Sequence, residues 1–227
     1  MHDTIKYMDT IDWIFFDIGG VLADESAYQN YRRTTCLAIA SRYALNLTEE
    51  DYTRAYQEAS TGTGSLTERV VIKLLENAGC ADRVNEALSV LSEEFRSGPT
   101  YLDLEEIRPE AKEVLRKLAR HYRLGIIANQ PEGIREKLKA AGVLEYLSDC
   151  TVSGDKEGKP NPAYYLRVLR KNDTIPERSV MVDDNLNRGI LPAKALGMTT
   201  IWFGKSEIAD GVDYAVENLE NLVHVLL

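Results

Sequence analysis

The feature that most constrains this chain is a run of four apolar residues, Trp13-Ile14-Phe15-Phe16, that stops abruptly at Asp17 and is followed by Gly19 and Gly20. A run that short and that apolar predicts a parallel strand buried on both faces. The glycines then break the pattern. A carboxylate at the end of such a strand is costly unless it is solvated, paired or bound to a cation. Asp17 therefore needs a reason to be there.

From Pro109 onward the same punctuation recurs. A helix from Pro109 to Arg120 precedes a strand from Leu124 to Ala128, and a helix from Pro131 to Ala141 precedes a short strand at Cys150-Thr151-Val152. A third helix, Pro162 to Lys171, leads to the strand Ser179 to Val182. A fourth, Arg188 to Leu196, leads to Thr199-Thr200-Ile201-Trp202. Strands alternating with short helices predict an α/β fold with a parallel sheet covered on both faces. Between Glu25 and Asp103 the texture is helical instead. Thr48-Glu49-Glu50-Asp51 resembles an N-cap, Ser65-Leu66-Thr67-Glu68 reads as a capping box, and Ser60 to Gly64 is a loop between two helices.

Composition closes off several function classes. With 27 basic and 36 acidic residues the chain carries a net charge of -9, which repels phosphate backbones, so no nucleic-acid partner is expected. The densest basic stretch, Arg108 to Arg123, reads as a solvated helix face. No apolar run approaches a membrane span, and no membrane association is expected. The scattered Cys36, Cys80 and Cys150 lack metal-type spacing and point to free thiols in a reducing cytoplasm. A monomer or homodimer is expected.

Ligands of open parallel sheets bind at the carboxyl ends of the strands, so four segments stand out: Asp17-Ile18-Gly19-Gly20-Val21-Leu22, Ala128-Asn129-Gln130-Pro131, Gly158-Lys159-Pro160-Asn161-Pro162 and Asp183-Asp184-Asn185. Bringing Asp17 together with Asp183 and Asp184 calls for a cation, and hard oxygen ligands favour Mg²⁺. In order and spacing these segments resemble the four motifs of the haloacid dehalogenase superfamily, over about residues 11–24 and 104–204.

The resemblance implies a Rossmann-like, doubly wound parallel-sheet core made of residues 1–24 and 104–227. Residues 25–103 would form an inserted all-helical cap of the C1 type. It implies phosphatase-type hydrolysis of a small phosphorylated metabolite, with Asp17 as nucleophile and Lys159 stabilising the transferring group. Asp17, the Gly19 carbonyl and Asp184, with Asp183 beside them, would hold Mg²⁺. Asn129, at the start of the helix opened by Pro131, would offer a backbone N–H to the phosphate. Tyr28, Tyr31, Arg32 and Arg33, in the first cap helix, are candidates for substrate choice.

The chain also departs from the family pattern. Gly19 stands where the family has its general acid–base aspartate, a group worth ~10²–10⁴ in rate. Ala128 stands where a Thr or Ser hydroxyl binds the phosphoryl oxygen, a donor worth about 10²–10³. The later acid of the last motif falls at Arg188 or Gly189. Turnover is therefore expected to be slow. Two alternatives stay open: a non-catalytic protein of this fold that binds a phosphorylated ligand or a protein partner, and a metal-independent dehalogenase. Gly19 and the Asp183-Asp184 pair argue against the second. Asp24 and Glu25, just past the first motif, are candidates for a substitute acid in place of Gly19, or else cap and solvate the first cap helix.

Overall fold

In a computed structural model, residues 10–60, 64–154 and 157–227 are described. Among the described residues β1 (Trp13–Phe16) and the two-residue β2 (Ala23–Asp24) come first, followed by five α-helices: α1 (Ser26–Ala40), α2 (Glu49–Ala59), α3 (Leu66–Asn77), α4 (Val84–Ser97) and α5 (Tyr101–Leu104). The chain returns through β3 (Glu106–Ile107) and alternates thereafter: α6 (Ala111–Leu118), β4 (Arg123–Asn129), α7 (Ile134–Ala140), β5 (Asp149–Ser153), α8 (Pro162–Lys171), β6 (Ser179–Asp183), α9 (Leu191–Ala195), β7 (Thr199–Phe203), β8 (Tyr214–Val216) and α10 (Leu219–Leu226).

Six strands form one parallel sheet in the order β5-β4-β1-β6-β7-β8. The strand with the most apolar sequence, β1, lies at the centre. The chain crosses to β4 on one side and to β6 on the other. A crevice at the carboxyl end of β1 follows from that reversal. Antiparallel pairing of β2 with β3 joins the segments at which the chain leaves and re-enters this unit.

Two compact units result. One comprises the residues up to Asp24 with Glu106–Leu227, and the other is Glu25–Glu105. In the first, α8 packs Tyr164 and Tyr165 against Trp13, Phe15, Ile127 and Met181. Each of these fully buried aromatics contributes on the order of 2 kcal/mol by leaving water. The second unit is helical, with a core built on Cys36, Ile39, Tyr52, Val71, Leu74, Leu75 and Leu91. Its α2 begins in a full capping box, in which Thr48 accepts from the Asp51 N–H while the Asp51 carboxylate accepts from the Thr48 N–H. At α3, Ser65 accepts from the Glu68 N–H. Of the loop expected at Ser60 to Gly64, residues 61–63 lie outside the described residues.

Several elements differ from expectation. The helix expected from Pro131 begins only at Ile134, after a turn through Gly133. The one expected from Arg188 is a π-helical turn, Leu186–Ile190, running into α9. Asn185 starts that turn by accepting from the Arg188 N–H. Arg108 is no part of a solvated helix face. It precedes α6 and its guanidinium donates to the carbonyls of Val21 at 3.0 Å and Gly20 at 3.3 Å, bracing the loop after β1. The strand β8 and helix α10 close the chain where no element was expected.

Candidate active site

Asp17 follows β1 directly, and its N–H continues the ladder to the Val182 carbonyl at 2.9 Å. That pairing sets Asp17 beside the end of β6, where Asp183 and Asp184 leave the sheet. Carboxylate oxygens of Asp17, Asp183 and Asp184 lie within 4.8 Å of one another. The Lys159 ammonium enters this cluster. The Lys159 Nζ lies 2.9 Å from Asp17 Oδ2 and 2.5 Å from Asp183 Oδ2. These side chains are secluded: 4% of Lys159, 15% of Asp17 and none of Asp183 is exposed.

Burial alone would strip the proton from Lys159, but the Asp17 and Asp183 carboxylates outweigh it and hold the ammonium well above its ordinary pKa. Burial also raises the Asp183 carboxyl, against the pull of Lys159. Three carboxylates thus gather at the strand ends, two of them against the Lys159 ammonium. Carboxylate oxygens gathered in this way are the ligand type that a hard divalent cation takes.

Local backbone rules make the cluster possible. Gly20 adopts a φ of +74°, and a Cβ there would collide with the Asp184 carboxylate. Glycine thus supplies both the turn and the room for Asp184. The Asp183 Oδ1 accepts from the Asn185 N–H at 2.8 Å, and the Trp202 indole donates to the Asp184 carbonyl at 2.9 Å. Tyr164 and Tyr165 reach up from beneath the sheet. The Tyr164 hydroxyl lies 3.0 Å from the carbonyls of Ala128 and Thr151, and the Tyr165 hydroxyl lies 3.0–3.1 Å from those of Arg188 and Gly189. Their rings pack the core while their hydroxyls tie down the loops that carry the site.

A family model described as haloacid dehalogenase-like hydrolase matches residues 11–197. The chain belongs to that family. Among curated relatives, glyceraldehyde 3-phosphate phosphatase from Methanothermobacter thermautotrophicus is 30% identical over 205 residues, covering 83% of each chain. Phosphoserine phosphatase from Thermus thermophilus is 32% identical over 142 residues, which cover 61% of this chain and 55% of that protein. In fold, the chain is similar to a phosphatase of the family from Thermococcus onnurineus, with a TM-score of 0.60 and 22% identity over 95% of this chain and 98% of that one.

One expectation drawn from the family pattern needs correcting. It concerns Asn129. Because α7 starts at Ile134, Asn129 is not at a helix N-terminus. Its side chain instead forms a two-point clasp on the backbone of Lys159: Nδ2 donates to the Lys159 carbonyl at 2.8 Å, and Oδ1 accepts from the Lys159 N–H at 2.7 Å. Only a carboxamide offers donor and acceptor in that geometry.

The later acid of the last motif is absent at Arg188 and Gly189, and the structure shows what stands there instead. A Cβ built on Gly189 would run into the carboxylate of Asp183. The space in front of Gly189 is therefore not empty; Asp183 fills it from the neighbouring strand end. No sequence rule could have found this overlap, because the two residues meet only across the turn Leu186–Ile190. Gly19 forms a single bridge to Ala23 and is buried. Glu25, weighed as a replacement acid, lies in the helical unit. There the Tyr101 hydroxyl lies within hydrogen-bond distance of its carboxyl group and of that of Glu105.

Proposed function

We propose that this hydrolase is a Mg²⁺-dependent phosphatase of small phosphorylated metabolites that works through an aspartyl-phosphate on Asp17. The observation that carries the reading is the gathering of three carboxylates at the strand ends, with one oxygen of Asp17 held by Lys159. Relatives named for glyceraldehyde 3-phosphate and phosphoserine support a small phosphate ester as substrate.

In this reading an Asp17 oxygen attacks phosphorus, and the bond from phosphorus to the ester oxygen breaks. The bonding pair leaves with that oxygen. Lys159 keeps Asp17 ionised and oriented and meets the charge of the transferring group. Asn129 acts by holding Lys159 in place. Bound Mg²⁺, with Asp17, Asp184 and the Gly19 carbonyl as its ligands, would neutralise charge on the phosphoryl oxygens. Asp183 supplies the carboxylate that the family carries later in its last motif. The helical unit takes the part of the cap and chooses the substrate.

Gly19 provides no proton for the leaving oxygen and no base for the water that then attacks the aspartyl-phosphate. Acyl phosphates, whose leaving group needs no proton, are therefore the favoured test substrates. The second step is the slower one, and phosphoenzyme accumulates. A second reading, a phosphate-binding protein without turnover, is favoured by the absence of side-chain chemistry at Gly19 and Ala128.

One assay separates them. Hydrolysis of acetyl phosphate and p-nitrophenyl phosphate is followed with Mg²⁺, with EDTA, and in Asp17→Asn. We expect metal-dependent hydrolysis that falls to background in Asp17→Asn, and a covalent phosphoryl adduct in the intact mass of the wild-type protein. Rates equal to Asp17→Asn on both substrates would leave the binding protein as the correct reading.

A further inference from the structure

We propose a second anion-binding site, wholly within the helical unit, that takes a phosphate or carboxylate group through Arg32 and Arg33. A cavity of about 350 Å³ lies between α1 and α2, with Gln29, Asn30, Arg32, Arg33, Tyr52 and Tyr56 on its walls. Arg32 is the unusual member. In a chain with more acidic than basic residues, it forms no ion pair among the described residues. Its guanidinium carbon sits 5.2 Å from the centre of the Tyr56 ring and 5.7 Å from that of Tyr28. Its Nε is buried with no hydrogen-bond partner, as is the Nε of Arg33.

A buried, unsatisfied donor on a charged group is expensive to leave unmade. Ring faces offset the charge of Arg32, but they accept no hydrogen bond in the plane of the guanidinium. An oxyanion in the cavity would satisfy both needs. Arg33 is steered alongside, with one nitrogen 3.2 Å from Glu49 and another 2.6 Å from Asn30 Oδ1.

Ser26, on the cavity wall, is the first residue of α1, and the acid before it, Glu25, accepts from the cavity-wall Gln29 amide at 3.4 Å. The two guanidinium groups carry the positive field of the cavity, with tyrosine hydroxyls as further donors. An anion with planar or tetrahedral oxygens suits the fork of an arginine. That group is either a substrate's second anionic group or a free anion.

The proposal stands apart from the phosphatase reading, and its primary test is binding. The full chain is titrated calorimetrically with inorganic phosphate and with 3-phosphoglycerate, in wild type and in Arg32→Gln, Arg33→Gln and Arg32→Lys. We expect a binding event that weakens about tenfold or more in Arg32→Gln. The weakening should be smaller in Arg32→Lys, which keeps the charge and loses the fork. The event should persist in Asp17→Asn. Thermal melts show that each variant is folded, and Arg33→Gln, on the exposed side, serves if Arg32→Gln is not.

The KM values identify the source of the anion. If Arg32→Gln raises KM about tenfold for 3-phosphoglycerate and not for p-nitrophenyl phosphate, the group belongs to the substrate. If neither KM moves while the isotherm weakens, the ligand is a free anion. An isotherm identical to wild type in folded Arg32→Gln and Arg33→Gln overturns the site, whether or not the protein hydrolyses phosphate. Absence of turnover with an Arg32-dependent isotherm overturns the phosphatase reading and keeps the site.

Discussion

The two units gather opposite charges. At the strand ends of the α/β unit three carboxylates come together, and two of them meet the Lys159 ammonium. In the helical unit one arginine is set among tyrosine rings and forms no ion pair among the described residues. Neither arrangement follows from composition, since both signs are plentiful in the chain. In the phosphatase reading the acidic cluster takes a cation, and in the site proposed above the basic one takes an anion.

The comparison breaks first at Lys159. Its ammonium is a partner of two secluded carboxylates, so removing it leaves like charges facing each other out of water. Lys159→Met should lose about 3–5 kcal/mol of unfolding free energy in urea titrations with EDTA present. A loss below about 1 kcal/mol would mean that water already solvates the cluster, and the contrast with the helical unit would fail.

The next test concerns how the third carboxylate arrives. If Asp183 fills the space in front of Gly189, then Gly189→Asp forces a second carboxylate into an occupied volume. Overpacking and like charge together should destabilise by about 3 kcal/mol. Asp183→Gly alone removes one partner of Lys159 and should also destabilise. The double variant, Asp183→Gly with Gly189→Asp, moves the carboxylate from one backbone position to the other. It should recover at least half of the combined loss, a coupling of about 1–3 kcal/mol in a double-mutant cycle. Strict additivity of the two changes would show that the positions do not share one space.

Much of the sheet is legible in the sequence, because the central strands β1 and β6 are short apolar runs that end in a residue with no business in a core. Phe16 before Asp17 and Val182 before Asp183 announce the carboxyl ends, and parallel pairing of β1 with β6 then places them side by side. What the sequence hides depends on contacts made across turns. Pro131 is a reasonable helix start, yet the turn through Gly133 delays α7 and frees Asn129 to clasp Lys159. Arg108 looks like one more charge on a basic helix, although its partners are carbonyls 87 and 88 residues away. The terminal helix did leave a signal: Asn218 caps it, and Leu219, Leu222 and Leu226 fall on one buried face. The three-residue β8 before it is too short for alternation to register.

The smallest expected effect lies at Arg32, and its sign separates the two clusters. Arg32 lacks a carboxylate that its removal would strand. Arg32→Met keeps much of the apolar stem and gives up attraction to two tyrosine rings, worth about 0.5–1 kcal/mol each at partly exposed sites. It also relieves a buried donor that has no acceptor. These terms oppose each other, so the stability of Arg32→Met without added anion should stay within about 1 kcal/mol of wild type. Added inorganic phosphate should then raise the melting temperature of the wild type more than that of the variant, since only a ligand bound to the native state shifts the midpoint. Equal shifts in both would return Arg32 to the status of a packed side chain and remove the helical unit's half of the contrast.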